Sequence, residues 1–567
     1  MNKFCQECGA EITAGAAFCS SCGHQLEPQA EAKALGDSMD VIFGVGQQDV
    51  ELLGKIKHVG DDIRHCVVLT DRARLREAVG DTALDLEIKM RRYCSARHTA
   101  GWTYHILDAT ANRFGAAPAT DWQAHVRLLE KAVGHFETNT GTKVATVMLV
   151  GDETIIPMPC FENPLYDGPG SFPDADVDSD LPYSSMSVDN PFYSIEALEP
   201  VLPVARIPTG KRDSGEVGLS YFTRDPLAGE QGSENSSSHG LSAQVWQGAS
   251  SAVAAAASIQ PLVTCPDQSL LPPLSGVAIT ARYLYFNVHG SDEEREWFGE
   301  SEDGSNYPVA IEPSTLTGIT TPNVLATEAC YGARFIGHGP EESALLTALI
   351  SSTVAFSGSS RIAFGPAAPP VGLADVIAQV FLSETRKGTH VGRALLLARQ
   401  ELLCTDEMLT PHNQLTVVQF NLFGDPTRSL PASAVAETQA KTITSDTSAS
   451  GRQPRSRLSG DDPLARIGAS MESSRRRLRI VLPDVLKQVD ASLDATWRSV
   501  EEKINANVYE TSPQLKDVQP SMKELRIGRL GKRVLQLGYA RMGDKFYVGR
   551  VVYADRQGEI LVDINSK

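Results

Sequence analysis

Five short apolar runs constrain the fold of this chain more than any other feature: Cys66–Thr70, Trp102–Leu107, Val144–Val150, Tyr283–Val288 and Val324–Ala329. Each has the length and the β-branched or aromatic content of a buried strand. Helix-like stretches at Arg72–Tyr93 and Asp121–Glu137 alternate with the first three. Strand–helix–strand alternation with short connections predicts an α/β protein with a parallel, doubly wound sheet. In such sheets the chemistry gathers in the crevice beyond the carboxyl ends of the strands. Two of the runs stop there at a reactive side chain. Tyr283–Val288 runs into His289-Gly290, and Val324–Ala329 runs into Cys330. A His and a Cys at neighbouring strand ends are the minimum for thiol nucleophilic catalysis, an imidazole to manage the proton and a thiolate to attack. Taken singly, such a Cys also reads as a small buried hydrophobe and such a His as a satisfied polar residue.

At 567 residues the chain is too long for one ordinary domain. A hydrophobic fraction of 42% and a charged fraction of 22% are globular values. The net charge of −18 argues against general binding to nucleic acid or anionic membranes. Pro463–Lys567 carries 19 Lys+Arg against 13 Asp+Glu, or +6, which leaves −24 on residues 1–462. No window approaches the roughly 18 apolar residues of a membrane span. The N-terminus lacks a signal-peptide core, so a cytoplasmic protein without a membrane partner is expected. In that reducing compartment ten cysteines mean metal ligands, a nucleophile or core thiols. Cys66, Cys94, Cys160, Cys265, Cys404 and His390 are read as structural.

Residues 1–26 contain Cys5-x2-Cys8-x10-Cys19-x2-Cys22, with Gly9 and Gly23 after the two knuckles. Four thiolates on two tight turns suit a closed tetrahedral Zn²⁺ site. A segment this short builds no core, so the metal would supply most of its folding energy. With no open coordination position, its role should be structural. The segment resembles the small zinc ribbons at the N-termini of many bacterial proteins. A polar linker follows at 27–40.

A further resemblance is carried by five motifs in one order. They are Val147-Met-Leu-Val-Gly-Asp-Glu-Thr-Ile-Ile-Pro157, Ser179-Asp180-Leu-Pro-Tyr183, Pro203-Val-Ala-Arg206-Ile-Pro208, the two strand ends at His289-Gly290 and Glu328-Ala-Cys330, and Phe423-Gly424-Asp425-Pro426-Thr427. Together they resemble the gingipain-like cysteine peptidases of the caspase-like superfamily, over about residues 60–430. That likeness implies two α/β subdomains, 41–215 without the dyad and 216–430 with it. It implies Cys330 as nucleophile, His289 as acid, and the N–H groups of Gly290 and Cys330 as oxyanion donors. It also calls for an acid supporting the histidine, for which Asp225 falls nearest and Glu230 second. The family's pocket acid is unmatched, because His239-Gly-Leu-Ser-Ala stands there. Glu328, two residues before Cys330, would point to the same face of a strand and would favour a basic P1 side chain.

Other elements follow from pattern. Gly218–Phe222 reads as a short strand and Leu241–Ala257 as a small-residue helix. Ser351–Gly358 reads as a core strand, and Val371–Ser383 and Val391–Leu403 as amphipathic helices. Alternate carboxylates at Asp174, Asp176, Asp178 and Asp180 leave Ca²⁺ open, against a solvated loop. Residues 431–462 read as a disordered linker. Residues 463–567 form a basic α+β module, with a helix at Val485–Val508, strands near Val534–Tyr539, Phe546–Tyr553 and Ile560–Ile564, and a turn at Asp555–Gly558. Its Arg475–Arg479 cluster reads as a solvated face, with nucleic-acid binding the minor alternative. The expected activity is a caspase-like cysteine endopeptidase acting on protein or peptide, restrained by its flanking modules through a regulatory partner or cleavage of the linker. Transpeptidation by the same dyad is a variant of it. The competing reading is a silent peptidase-fold scaffold presenting the ribbon and the basic module.

Overall fold

The computed structural model describes residues 64–110, 119–166, 174–210, 214–230, 237–267, 279–405, 410–432, 495–527, 532–542 and 547–567. The expected zinc ribbon, linker 27–40, most of linker 431–462 and the Arg475–Arg479 cluster lie outside them. All five apolar runs are strands. The first half supplies β1 (Arg64–Thr70), β2 (Trp102–Asp108) and β3 (Val144–Val150). A small hairpin of β4 (Cys160–Glu162) and β5 (Asp176–Asp178) comes next, then β6 (Val204–Ile207). The second half supplies β7 (Ser238–Ala243), β8 (Leu262–Cys265) and β9 (Tyr283–Asn287). A second hairpin of β10 (Trp297–Phe298) and β11 (Val309–Ile311) follows, then β12 (Asn323–Thr327) and β13 (Thr353–Ser359). A two-residue strand, β14 (Phe364–Gly365), and β15 (Phe420–Gly424) close this part of the chain.

Ten of these strands form one sheet in the order β2-β1-β3-β6-β15-β13-β12-β9-β7-β8. The two subdomains expected from the resemblance, each with its own sheet, are therefore fused edge to edge. Strands of the first half pair in parallel, as do β13, β12, β9, β7 and β8, and the halves meet where β13 runs antiparallel to β15. The carboxyl ends of the two halves thus point to opposite edges of the sheet. Helices on both faces explain why β9, β12 and β13 are buried at every residue.

Three expectations need correction. Gly218–Phe222 lies inside a helix, Glu216–Thr223, whose buried residues Val217, Gly218, Tyr221 and Phe222 follow helical spacing. Five residues were too few to tell the two periods apart. Leu241–Ala257 divides into β7 and the helix Gln247–Ala257. The Arg72–Tyr93 run is also two helices, Arg72–Val79 and Thr82–Ala96, parted at Gly80, whose φ is 55°. The helices at Trp122–Thr140, Ala374–Arg386 and Val391–Thr405 stand where the apolar periodicity puts them.

The C-terminal module has the helix Ala495–Thr511 and an antiparallel meander of β16 (Ser521–Ile527), β17 (Lys532–Met542), β18 (Tyr547–Ala554) and β19 (Ile560–Ser566). Trp497, Val500, Ile504 and Val508 lie on one helix face and pack on Leu535, Leu537, Tyr539, Val552 and Ala554. The alternate residues Val534, Val551, Tyr553 and Ile564 pack instead into a core shared with residues of β9, β12 and β13. Period-two alternation thus gives the meander two apolar faces. Its last strand goes further: β19 pairs with β14, so the five-stranded order is β14-β19-β18-β17-β16.

Candidate active site

Parallel pairing of β9 and β12 matches Phe286 with Thr327, and Glu328 N–H donates to Phe286 O at 2.9 Å. The two chains therefore leave the sheet side by side at the same edge. A Cβ on Gly290 would fall well inside contact distance of the Cys330 carbonyl oxygen, so glycine alone fits there. The structure brings His289, Gly290, Glu328 and Cys330 together.

His289 is held from several sides. Its backbone exchanges N–H···O bonds with Phe298 at 2.8 and 2.9 Å, which seats the β10–β11 hairpin against it. That hairpin delivers Glu300, whose Oε2 lies 2.7 Å from His289 Nε2. A carboxylate only accepts, so the imidazole proton sits on Nε2. Tyr307 OH donates to the other oxygen of Glu300 at 3.0 Å, and the Trp246 ring lies 4.4 Å from the imidazole. Asp225, the acid expected in this role, is exposed in a turn, where it accepts from Leu227 N–H. Glu230, the second choice, pairs with Arg97 at 2.6 Å and Arg428 at 2.8 Å. Sequence reasoning missed Glu300 because it stands in an acid-rich stretch, Asp292–Asp303, that offers no mark by which to choose among its carboxylates.

The turn after Cys330 is sterically demanding. Tyr331 has φ 53°, a left-handed conformation, maintained by its N–H to Arg361 O at 3.0 Å and its hydroxyl to Asp174. Asp174 also accepts from Ile362 N–H at 3.1 Å, fixing the loop that flanks the sulfur. Ala363 N–H donates to Cys330 Sγ at 3.3 Å, a contact that favours the thiolate. Burial outweighs it and pushes the thiol up to about 12. Three of the four carboxylates raised as a Ca²⁺ site are spent on protein partners, and the fourth, Asp176, is exposed. Asp174 serves this turn, Asp178 pairs with Arg361 at 2.7 Å, and Asp180 pairs with Arg206 at 2.6 Å. Among the described residues no group of His, Cys, Asp and Glu is arranged for a metal ion.

The cleft beside Cys330 holds the end of the module. Phe364 and Gly365 pair with Ser566 and Asn565, and Lys567 N–H donates to Ala363 O at 3.0 Å. Cys330 N–H donates to the Lys567 carbonyl oxygen at 2.9 Å. The lysine side chain runs past Gly365, where a Cβ would lie 2.8 Å from Nζ. Its ammonium donates to Asp375 Oδ1 at 2.7 Å and Glu328 Oε2 at 3.0 Å, 5.3 Å from the Trp246 ring centroid. Tyr285 OH donates to Glu328 Oε1 at 2.7 Å. Glu328, Asp375 and Lys567 are all 0% exposed. Burial and then the Asp375 charge raise the Glu328 pKa, against the pull of the ammonium. Burial alone would lower the lysine's pKa, but Asp375 and Glu328 outweigh it and raise it. Glu328, singled out from sequence, thus shares a buried site with the Lys567 ammonium, although β12 ends at Thr327 before strand alternation could reach it. Asp375 was not anticipated. It enters from the first turn of the helix Ala374–Arg386, 45 residues beyond Cys330, and only the tertiary packing of that helix on β12 brings it in.

The remaining motifs build scaffold. Arg206 is fully buried and forks onto Asp180 while donating to the carbonyls of Gly151 and Ile156. Asp152 caps Thr209 at 2.7 Å, and Asp425 accepts from Tyr93 at 3.0 Å and Tyr104 at 2.9 Å. These bonds tie β3, β6 and β15 together at the seam between the halves.

Residues 4–26 match the family model of the zinc-ribbon domain. The four-thiolate donor set at Cys5, Cys8, Cys19 and Cys22 fits Zn²⁺. No curated protein sequence matches the chain. Among solved structures, one described as a protease is similar, with a TM-score of 0.44 and 10% identity over 90% of this chain and 93% of that one. The separase of Saccharomyces cerevisiae, solved with securin, has a TM-score of 0.29 and 10% identity over 72% of this chain and 28% of that one. No described helix is long and apolar enough to cross a membrane.

Proposed function

We propose that this chain is a caspase-like cysteine endopeptidase that cuts after lysine. One observation carries the reading: a lysine carbonyl rests on the Cys330 amide while its ammonium reaches two buried carboxylates. That is the register of a P1 residue. In this mechanism Cys330 Sγ attacks the scissile carbonyl carbon, and the developing oxyanion is held by the N–H groups of Cys330 and Gly290. His289 takes the Cys330 thiol proton as Sγ attacks and passes it to the leaving amine. With the Nε2 proton committed to Glu300, that traffic runs through Nδ1. Glu300 is a positioning residue, fixing the tautomer and stabilising the imidazolium. Water then hydrolyses the thioester. Glu328 and Asp375 set specificity: in a site closed to water, a charge-assisted pair selects an ammonium over a neutral side chain. The zinc ribbon stands apart from this chemistry, its closed thiolate set serving a structural role.

A panel of peptidyl acyloxymethyl ketones ending in Lys, Arg, Asn or Asp tests the reading. The lysyl probe should label the wild type fastest, at Cys330, and Cys330→Ala should remain unlabelled. If no member of the panel labels Cys330, the peptidase reading fails.

A further inference from the structure

We propose that the segment Ile560–Lys567 is a tethered inhibitor of the cleft it occupies, holding the enzyme in a self-blocked state. The proposal rests on the reading of that cleft as a lysine-directed peptidase site. Three contacts of the kind that bind a peptide are already made. The main chain of Asn565–Lys567 adds to β14, the Lys567 carbonyl takes the Cys330 amide, and its side chain fills the acid pocket. The mode is strand addition, in which main-chain bonds give affinity and one pocket gives specificity.

The segment is also preorganised. β19 is paired along its length with β18, Arg550 forks onto Asp563 at 2.6 and 2.8 Å, and Gly549 N–H donates to Ser566 Oγ at 2.9 Å. The same Arg550 donates to Thr511 and Ser512 at the end of the module's helix. Behind these bonds the meander is seated in the core it shares with β9, β12 and β13, with Tyr553 OH 2.7 Å from His412 Nδ1. A strand held on two sides loses little entropy on entering the cleft. The result is closure of the chemistry: His289 is 2% and Cys330 3% exposed. A substrate gains access only after Lys567 leaves.

A chain ending at Ser566 tests this on a fluorogenic peptidyl-lysyl amide. A short tether gives a millimolar effective concentration, so against a submillimolar product affinity kcat/KM should rise about tenfold or more. Lys567→Met keeps the chain length and the apolar stem, and should release the block to a similar extent. The synthetic peptide matching Ile560–Lys567, at millimolar concentration, should inhibit the shortened enzyme competitively, while the same peptide ending in Glu should not. Equal kcat/KM in wild type and both variants would overturn the inhibition while leaving the peptidase reading intact. Faster turnover that the lysine-ending peptide fails to reverse would also overturn it. Relief of inhibition on dilution of the wild type would place the occupant on a second copy and overturn the tethered form. No turnover by any variant would sink both readings together.

Discussion

Replacing Asp375 with asparagine removes one of the two carboxylates on the lysine ammonium while keeping the side chain's shape. Asp375 and the ammonium are 2.7 Å apart and fully buried, so water replaces neither partner. Truncating one member of a buried charge pair costs about 3–5 kcal/mol. Glu328 moderates that figure here. Its pKa is raised by burial and by the Asp375 charge, so neutralising Asp375 lets Glu328 ionise more readily and take over part of the role. A cost below that range, about 2–3 kcal/mol, is therefore expected, and at 1.36 kcal/mol per decade this is about 30- to 150-fold in kcat/KM. The assay compares peptidyl-lysyl and peptidyl-norleucyl substrates of otherwise identical sequence on chains ending at Ser566, with and without the substitution, so that Lys567 does not compete for the pocket. Lysyl turnover should fall by that factor, and norleucyl turnover should hold or improve because a buried charge facing an apolar side chain has gone. An equal fall for both substrates would mean Asp375 supports the fold rather than reads the ammonium.

Further outcomes follow from other contacts. Glu300→Gln keeps a bond to His289 but removes the charge that stabilises the imidazolium, so kcat should fall about 10- to 100-fold with little change in KM, and the acidic limb of the pH–rate profile should move. Gly365→Ala places a methyl 2.8 Å from the lysine Nζ position; it should abolish lysyl turnover yet leave labelling of Cys330 by probes with a small P1 residue, and equal loss of both would count against the pocket assignment. Acid should destabilise the protein from a defined pH: burial depresses His105 and His412 to about 3 each, against about 6.5 unfolded. Both pKa values are lower in the folded state, so the stability they contribute is present above pH 6.5 and drains away as pH falls toward 3. The slope should reach about 2.7 kcal/mol per pH unit for the pair, and chemical denaturation at pH 7 and 5 should reveal it, more shallowly in His105→Phe.

The sheet was legible because its buried strands are apolar at every position and end on small or reactive residues; β9 and β12 fall within a residue or two of their expected bounds. The placement of His289 and Cys330 at one edge of the sheet was legible for the same reason, since a strand end is a place that periodicity locates. The fusion of the halves was not. It depends on β15, whose Phe-Asn-Leu-Phe-Gly run carries no sign that it is parallel to β6 and antiparallel to β13. Glu300 and Asp375 were hidden because a carboxylate's role is set by what it is carried to. Glu300 arrives just beyond a two-residue strand and Asp375 on a helix after a proline-rich loop. Asp225 failed as the histidine's partner because likeness in sequence order does not fix the path of a loop. The destination of Lys567 was the least legible of all. In sequence it follows the last strand of a module with a core of its own, and its meaning comes only from β14, some 200 residues earlier.

The central claim, that Cys330 with its acid pair cuts after lysine in the register seen for Lys567, is tested most directly by extending the chain. A reporter domain appended after Lys567 should be released by the wild type, with intact mass showing a new terminus at Lys567, and retained in Cys330→Ala and Asp375→Ala. A reporter that stays attached in the wild type as firmly as in Cys330→Ala would contradict the account.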